Sequence, residues 1–357
     1  MLNYLVLAFL VSFLLCILII RTSKKKKFLI TDELHLGPQT FHQKPTPRLG
    51  GVALFLAFFL MCILAFLRKE YYRYDLFFIF ISSIFAFLSG LLEDLTGKLN
   101  PKIRLLIVAI SGALVFYIAD VKVVRLDIPY IDNLFNYMYF SLIFTVFALT
   151  GLANAINIID GFNGLASMVS ITILLAITMI SYRLGDYFIA TSSLGFAGAL
   201  VGFFLLNYPY GLIFLGDSGA YLTGFFIACM SVLIVKRHLE VSAWFALLVN
   251  IYPIYETLFS IYRRKFLKGY SAFTPDDLHL HTLVYKFIVK KILGEENPIY
   301  HNPATSPLLW FFNLFGVIPA ILFWDNTLIL IVFSLVFMIC YSIIYWKIIK
   351  SGSSYIS

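Results

Sequence analysis

Glu93 and Asp94 stand side by side at the end of an apolar run, "FFIFISSIFAFLSGLLED" (77–94). A helix C-terminus carries partial negative charge, so two acids there call for a counter-charge. Other polar groups interrupt apolar sequence in the same way. Asn154, Asn157, Asp160 and Asn163 recur every three residues in "NAINIIDGFNGLA" (154–166), with Gly161 and Gly164 permitting close backbone approach. Asp217 lies in "GDSG" (216–219). His279 and His281 flank Leu280 in "PDDLHLHT" (275–282), after the basic cluster Arg263, Arg264, Lys265 and Lys268. Carboxylates, amides, histidines and cations together suit phosphoryl transfer. That chemistry needs mainly positioning and charge neutralisation. Mg²⁺ is a hard ion held by one or two carboxylates plus substrate phosphates. Zinc would need further ligands, and no Cys lies near the histidines, so phosphate contact or acid–base work suits them better.

Plainer explanations stand beside each group. Acids at a span end can simply be solvated among lipid headgroups, and Asp94 could pair with Lys98 if the helix continues. "GDSG" is also turn chemistry. The basic cluster could anchor the end of a span.

The elements that must position these residues are membrane helices. The chain is 61% hydrophobic and only 13% charged, which excludes an ordinary soluble domain. Its net charge of +8 is explained by basic residues in loops on one side of a membrane, without nucleic acid. The four cysteines lie inside apolar runs with no C-x-x-C pair and read as small fillers. Eleven apolar segments are long enough to span: 2–20, 50–67, 76–92, 103–119, 138–156, 164–180, 187–206, 219–235, 241–262, 308–323 and 327–346. The first is followed by its basic cluster and has no small-residue cleavage site, so it reads as a span that starts outside rather than a cleavable signal. With that orientation, 19 of the 27 Lys and Arg residues fall on or beside the inner loops. The expected fold is an all-α polytopic bundle of about 11 transmembrane helices, one domain over 1–357. Its longest inner loop, 263–307, carries the histidine motif. Within that loop, 279–293 reads as an amphipathic helix lying along the membrane surface. By parity all the polar motifs share the cytoplasmic face, including "HQKPTPRLGG" (42–51), which points to one assembled site.

"KPTPRLGG", "GLLEDLTGKL", "NAINIIDGFNGLA", "FLGDSGAY" and "PDDLHLHT" together resemble the motifs of the polyprenyl-phosphate N-acetylhexosamine-1-phosphate transferases, in the same order over residues 42–282. That superfamily includes the phospho-MurNAc-pentapeptide translocases. It also includes the WecA-type enzymes that start O-antigen, enterobacterial-antigen or teichoic-acid assembly. The "PDDLHLH" form and eleven spans resemble the WecA-type branch more closely. The resemblance implies a multi-pass protein of the bacterial inner membrane with its active site facing the cytoplasm. Its partners would be a UDP-N-acetylhexosamine, a polyprenyl (undecaprenyl) phosphate and Mg²⁺, for which Mn²⁺ could substitute, and a homodimer is compatible. UMP and a polyprenyl-diphosphate-sugar would be the products.

Carried over, Asp217 matches the metal-binding acid. Glu93 and Asp94 match an acidic pair, usually two Asp, that handles the lipid phosphate or assists the metal. Asp160 matches the acid lining the nucleotide pocket, with Asn154, Asn157 and Asn163 in the same motif. Asn207 and Phe214 match positions at the uridine end, and Lys44 and Arg48 the basic loop. His279 and His281 match the histidine motif near the phosphates; Arg264 and Lys268, read from the basic cluster itself, are candidates for phosphate binding beside the plainer role of anchoring the span. Glu93, Asp277, Thr282 and Ala220 depart from the usual pattern, which leaves sugar choice and acid–base roles open. The other readings are a translocase of the peptidoglycan branch, a lipid-linked-sugar transporter, and a scaffold that binds a UDP-sugar without turnover.

Overall fold

The computed structural model describes residues 1–23, 46–267, 278–294 and 300–353. Lys44, Lys268, Asp276 and Asp277 lie outside the described residues. Among the described residues there is no strand. The helices are α1 (Leu2–Ser23), α2 (Gly50–Leu67), α3 (Arg73–Thr96), α4 (Pro101–Ile118), α5 (Met138–Ile159), α6 (Leu165–Arg183) and α7 (Tyr187–Asn207). They continue with α8 (Gly216–Arg237), α9 (Ala243–Val249), α10 (Ile251–Tyr262), α11 (Leu280–Val284), α12 (Lys290–Leu293), α13 (His301–Leu322) and α14 (Thr327–Ser353). Ten are long and apolar enough to cross a bilayer. The pair Ala243–Val249 and Ile251–Phe266, bent by 74°, makes an eleventh span if counted as one. The protein is a polytopic all-α membrane protein.

The bend between α9 and α10 has a local cause. Pro253 has no N–H to donate to the carbonyl of Val249, so the helical ladder fails there. Asn250 fills part of the gap: its side-chain amide donates to the Ala246 carbonyl (2.9 Å) and to Ser231 Oγ (3.0 Å).

At the centre is α8, 94% of whose apolar window is buried. It packs against α2, α3, α5 and α6, while α1, α7 and α6 form one flank and α13, α14 and α9 the other. With lipid outside, no hydrophobic drive pulls helices together, so small residues that allow backbone contact decide which pairs dock. The clearest case is Gly90 on α3. A Cβ there would lie 2.2 Å from the Ser218 backbone nitrogen, so only glycine lets α3 reach the start of α8.

Three elements differ from the sequence reading. First, α8 begins at Gly216, so Asp217 sits in its first turn rather than in a loop. Second, α13 begins at His301, inside the segment read as loop to 307; its buried His301, Asn302, Thr305 and Ser306 form a polar first turn that hydropathy alone misses. Third, the 279–293 segment does not lie on the membrane surface along its length. His281, Thr282, Leu283 and Val284 are buried, and α11 packs on α13 and α14, while Lys290, Lys291 and Ile292 are exposed.

Candidate functional site

Five separate chain segments converge at one end of the bundle. Two of them pair like short strands: the Phe214 N–H donates to the Pro47 carbonyl (2.9 Å), Gly50 N–H to Phe214 (3.0 Å) and Gly51 N–H to Leu215 (2.9 Å). This brings "TPRLGG" (46–51) against "IFLGDSG" (213–219). Gly216, at φ +74°, makes the turn into α8 with its α-carbon facing the Arg48 carbonyl and the Asp94 carboxylate; a Cβ would come 2.4 and 2.6 Å from them.

Asp94, 4% exposed, accepts from the Asp217 N–H at Oδ1 (2.8 Å) and the Ser218 N–H at Oδ2 (2.9 Å). The first N–H groups of a helix have no partner within it. Asp94 satisfies two of them from the neighbouring helix and places negative charge at the positive end of the α8 dipole. It therefore has permanent partners within the protein. Its reach is supplied by Gly90, one turn earlier on the same face of α3. The pair with Lys98 does not form, because Gly97 at φ +61° ends α3 and donates to the Glu93 carbonyl (2.7 Å).

Glu93 turns to the other side. Its Oε2 accepts the Leu99 N–H (2.7 Å), and Oε1 is 3.7 Å from Arg104 Nη1. The same Nη1 donates to Asp217 Oδ2. Arg104 is thus the fixed counter-charge for two of the acids. The sequence reading counted it only toward orientation. Its signal was available: a lone Arg one turn into an apolar helix that follows the Asn100–Pro101 cap.

Asp160 caps the C-terminus of α5 and is half-buried, with no side-chain hydrogen bond among the described residues. Burial pushes its pKa up to about 7; Arg48 opposes the rise, and Asp217 and Asp94 add to it. The negative charge of Asp217 and Asp94 is felt at Asp160. Among the described residues Asp160 has both carboxylate oxygens, and Asp217 has Oδ1, without a hydrogen-bond partner, while Asp217 Oδ2 accepts from Arg104. Among the described residues no three His, Cys, Asp or Glu side chains form a complete ligand cage. Mg²⁺ is usually bound through one or two carboxylates plus substrate phosphates, and a carboxylate oxygen of Asp217 or Asp160 is of that donor type.

The histidine motif meets the Asp160 loop. A Cβ on Gly161 would lie 3.1 Å from His281 Nε2, and Phe162 meets the same ring edge-on at 5.6 Å. The His279 and His281 rings stack at 5.2 Å with planes 2° apart. Burial, with His279 beside it, holds the His281 pKa down at about 3, against the pull of Glu256, so its ring is neutral. His279 Nδ1 is 2.9 Å from Glu256 Oε1, an acid of α10 that is 1% exposed. Glu256 thus places a buried acid inside an otherwise apolar helix.

Asn163 and Asn207 hold the scaffold together. Gly164 N–H donates to Asn207 Oδ1 (2.6 Å), whose Nδ2 donates to the Ile213 carbonyl (2.8 Å). Asn163 Nδ2 donates to the Pro209 carbonyl (3.0 Å), and the Asn163 N–H to Asn302 Oδ1 (2.9 Å). The two side-chain amides tie the Asn163 and Asn207 loops to one another, and the Asn163 backbone N–H ties them to α13. Asn154 and Asn157 stay half-buried without side-chain hydrogen bonds among the described residues. Phe214 is half-buried and Arg48 exposed, both beside the α8 turn; Arg264 is buried, its Nε donating to the Ser260 carbonyl (3.3 Å).

A groove of about 810 Å³ runs between α4, α5, α8, α9 and α10. Its walls are almost wholly apolar, including Phe144, Phe147, Val232 and Trp244. One end reaches Leu105, next to Arg104, and Asn154, in the Asp160 motif.

Residues 76–235 match the family described as Glycosyl transferase family 4. A phospho-N-acetylmuramoyl-pentapeptide-transferase of Lactobacillus johnsonii is 31% identical over 239 residues, 64% of this chain and 72% of the relative. The chain belongs to glycosyl transferase family 4. An undecaprenyl-phosphate alpha-N-acetylglucosaminyl 1-phosphate transferase of Thermotoga maritima is 28% identical over 316 residues, 87% of this chain and 93% of the relative. A probable undecaprenyl-phosphate N-acetylglucosaminyl 1-phosphate transferase of Bacillus subtilis is 28% identical over 283 residues, 79% and 77% of the two chains. Glu93, Asp94, Arg104, Asp160 and Asp217 all lie inside the matched region.

Proposed function

We propose that the protein transfers N-acetylglucosamine-1-phosphate from UDP-N-acetylglucosamine to undecaprenyl phosphate at the cytoplasmic face of a bacterial inner membrane. UMP is released. The observation that supports this reading is an apolar groove whose lining includes Leu105 and Asn154, residues of the segments that carry Arg104 and Asp160, in a protein whose acids Glu93, Asp94 and Asp217 gather around Arg104 and the start of α8. A prenyl chain needs the first and a diphosphate with its cation the second. A relative that aligns over 87% of this chain and 93% of its own length is an N-acetylglucosaminyl 1-phosphate transferase, which supports that sugar over the pentapeptide branch.

An oxygen of the lipid phosphate attacks the sugar-bearing phosphorus of the UDP-sugar. That P–O bond forms as the bond to the bridging oxygen breaks, and UMP leaves with the bridging oxygen. Asp217 would hold Mg²⁺, which when bound would supply charge neutralisation at the diphosphate. Arg104 fixes the Asp217 carboxylate, and Asp94 fixes the helix turn that carries it. Asp160, with its pKa near 7, is suited to take the proton of a singly protonated lipid phosphate. His279 supplies a further donor or acceptor at the phosphates, and Arg48 a cation at the mouth.

The test is UMP release by purified protein with Mg²⁺, undecaprenyl phosphate and a panel of UDP-amino sugars. Turnover with UDP-N-acetylglucosamine is expected. Turnover only with UDP-MurNAc-pentapeptide would move the protein to the other branch, and no UMP with any donor would overturn the reading.

A further inference from the structure

Glu256 is an acid in the middle of an apolar helix, and a buried carboxylate persists only when its oxygens are satisfied. Here Oε1 is 2.9 Å from His279 Nδ1 and accepts the Leu280 N–H (3.1 Å), while Oε2 accepts the Tyr341 hydroxyl (2.8 Å). With both oxygens accepting, His279 Nδ1 must be the donor, because a proton on Oε1 would face the Leu280 N–H. The ring is then left with Nε2 as its basic nitrogen, and Nε2 has no hydrogen-bond partner among the described residues. Its plane is set by the stack on His281, which in turn leans on Gly161 beside Asp160.

We infer that Glu256 is a positioning residue for the transfer. Its carboxylate selects the His279 tautomer with Nδ1 protonated, aims the ring, and stabilises positive charge when Nε2 takes a proton. The arrangement follows the general logic in which a histidine is oriented by the partner of its other nitrogen. It explains why an acid is tolerated in α10: the same contact ties the histidine motif to α10 and α14. The inference rests on His279 acting at the phosphates, as proposed above.

The test uses the full-length protein and Glu256→Gln. Glutamine keeps an acceptor for Leu280 and His279 and can donate to Tyr341, which also accepts, so the tether survives and only the charge is lost. The expected result is a kcat lower by about 10- to 100-fold, with the KM for the UDP-sugar and the melting temperature unchanged. In a His279→Ala background the same change should have no further effect. A wild-type kcat in Glu256→Gln, or losses that multiply in the double variant, would overturn the inference. So would a rise in KM with a lowered melting temperature, the mark of a purely structural tether. Histidine ¹⁵N shifts give a readout independent of turnover. His279 with Nδ1 protonated and Nε2 bare is expected, and the opposite tautomer would overturn the inference even in a protein that releases no UMP. Absence of UMP from the wild type would by contrast count against the proposed reaction alone.

Discussion

Asp94→Asn separates a structural from a chemical role for the acidic pair. In the wild type, two backbone N–H groups at the start of α8 donate to one buried carboxylate at 2.8 and 2.9 Å. Hydrogen bonds to charged groups contribute about 1.5–3 kcal/mol each. Asparagine can keep one of them through its carbonyl oxygen. Its NH₂ would then face the second N–H, donor against donor, leaving a buried group unsatisfied. The cost should be about 2–4 kcal/mol in total, reduced at the upper end because removing Asp94's charge relieves its repulsion by Asp217. For a chain of this length that corresponds to a melting temperature lower by about 3–5 °C. The assay is built into the protein: Cys16, Cys62 and Cys229 are buried, so a thiol-reactive dye reports unfolding. Gly90→Ala is the control from the opposite side, since its Cβ would meet Ser218 N at 2.2 Å and push α3 off α8. It should lower the melting temperature at least as much while leaving every carboxylate in place. If Asp94→Asn melts with the wild type, or Gly90→Ala is tolerated, the clasp between α3 and α8 does not hold the site as described.

Other expectations follow from the same geometry. Asp217→Asn should abolish UMP release and also the rise in melting temperature that Mg²⁺ gives the wild type; retained Mg²⁺ stabilisation would place the ion elsewhere. Asp160 has a folded pKa raised to about 7 from 3.8, so the folded state binds the extra proton between those values. Its contribution to stability is then greatest below about pH 4 and declines as pH rises to about 7. Dye melts in chelator across that range should show a decline that flattens in Asp160→Asn, and an equal slope in both proteins would contradict the burial of that carboxyl. Gly151 lines the groove with open space at its Cβ position. Gly151→Leu should therefore raise the KM for undecaprenyl phosphate without changing that for the UDP-sugar, and an unchanged lipid KM would remove the groove from the reaction.

Much of this protein is determined by sequence alone because a bilayer simplifies the problem. Backbone groups in lipid must be satisfied within the segment, so every long apolar run becomes a helix. The second span, read as 50–67, is Gly50–Leu67 in the structure. The basic residues and the polar interruptions likewise grouped the motifs of Glu93, Asp160, Asp217 and His279 into one set before any contact was known. Tertiary structure alone decided what each of those residues touches. Nothing in the string "GLLED" says that Asp94 caps a helix 123 positions away while Glu93 turns to Arg104. Adjacent helical residues point about 100° apart, and only the docking of α3 on α8 assigns each direction a partner. The backbone carbonyls that Asn163 and Asn207 hold, at Pro209 and Ile213, likewise lie outside what sequence can assign, since a polar side chain in an apolar stretch needs a partner but does not name it. Glu256 escaped notice for the converse reason. A single acid in an otherwise apolar segment carries little pattern, and its meaning lies in His279, Leu280 and Tyr341, which reach it only when the chain is folded.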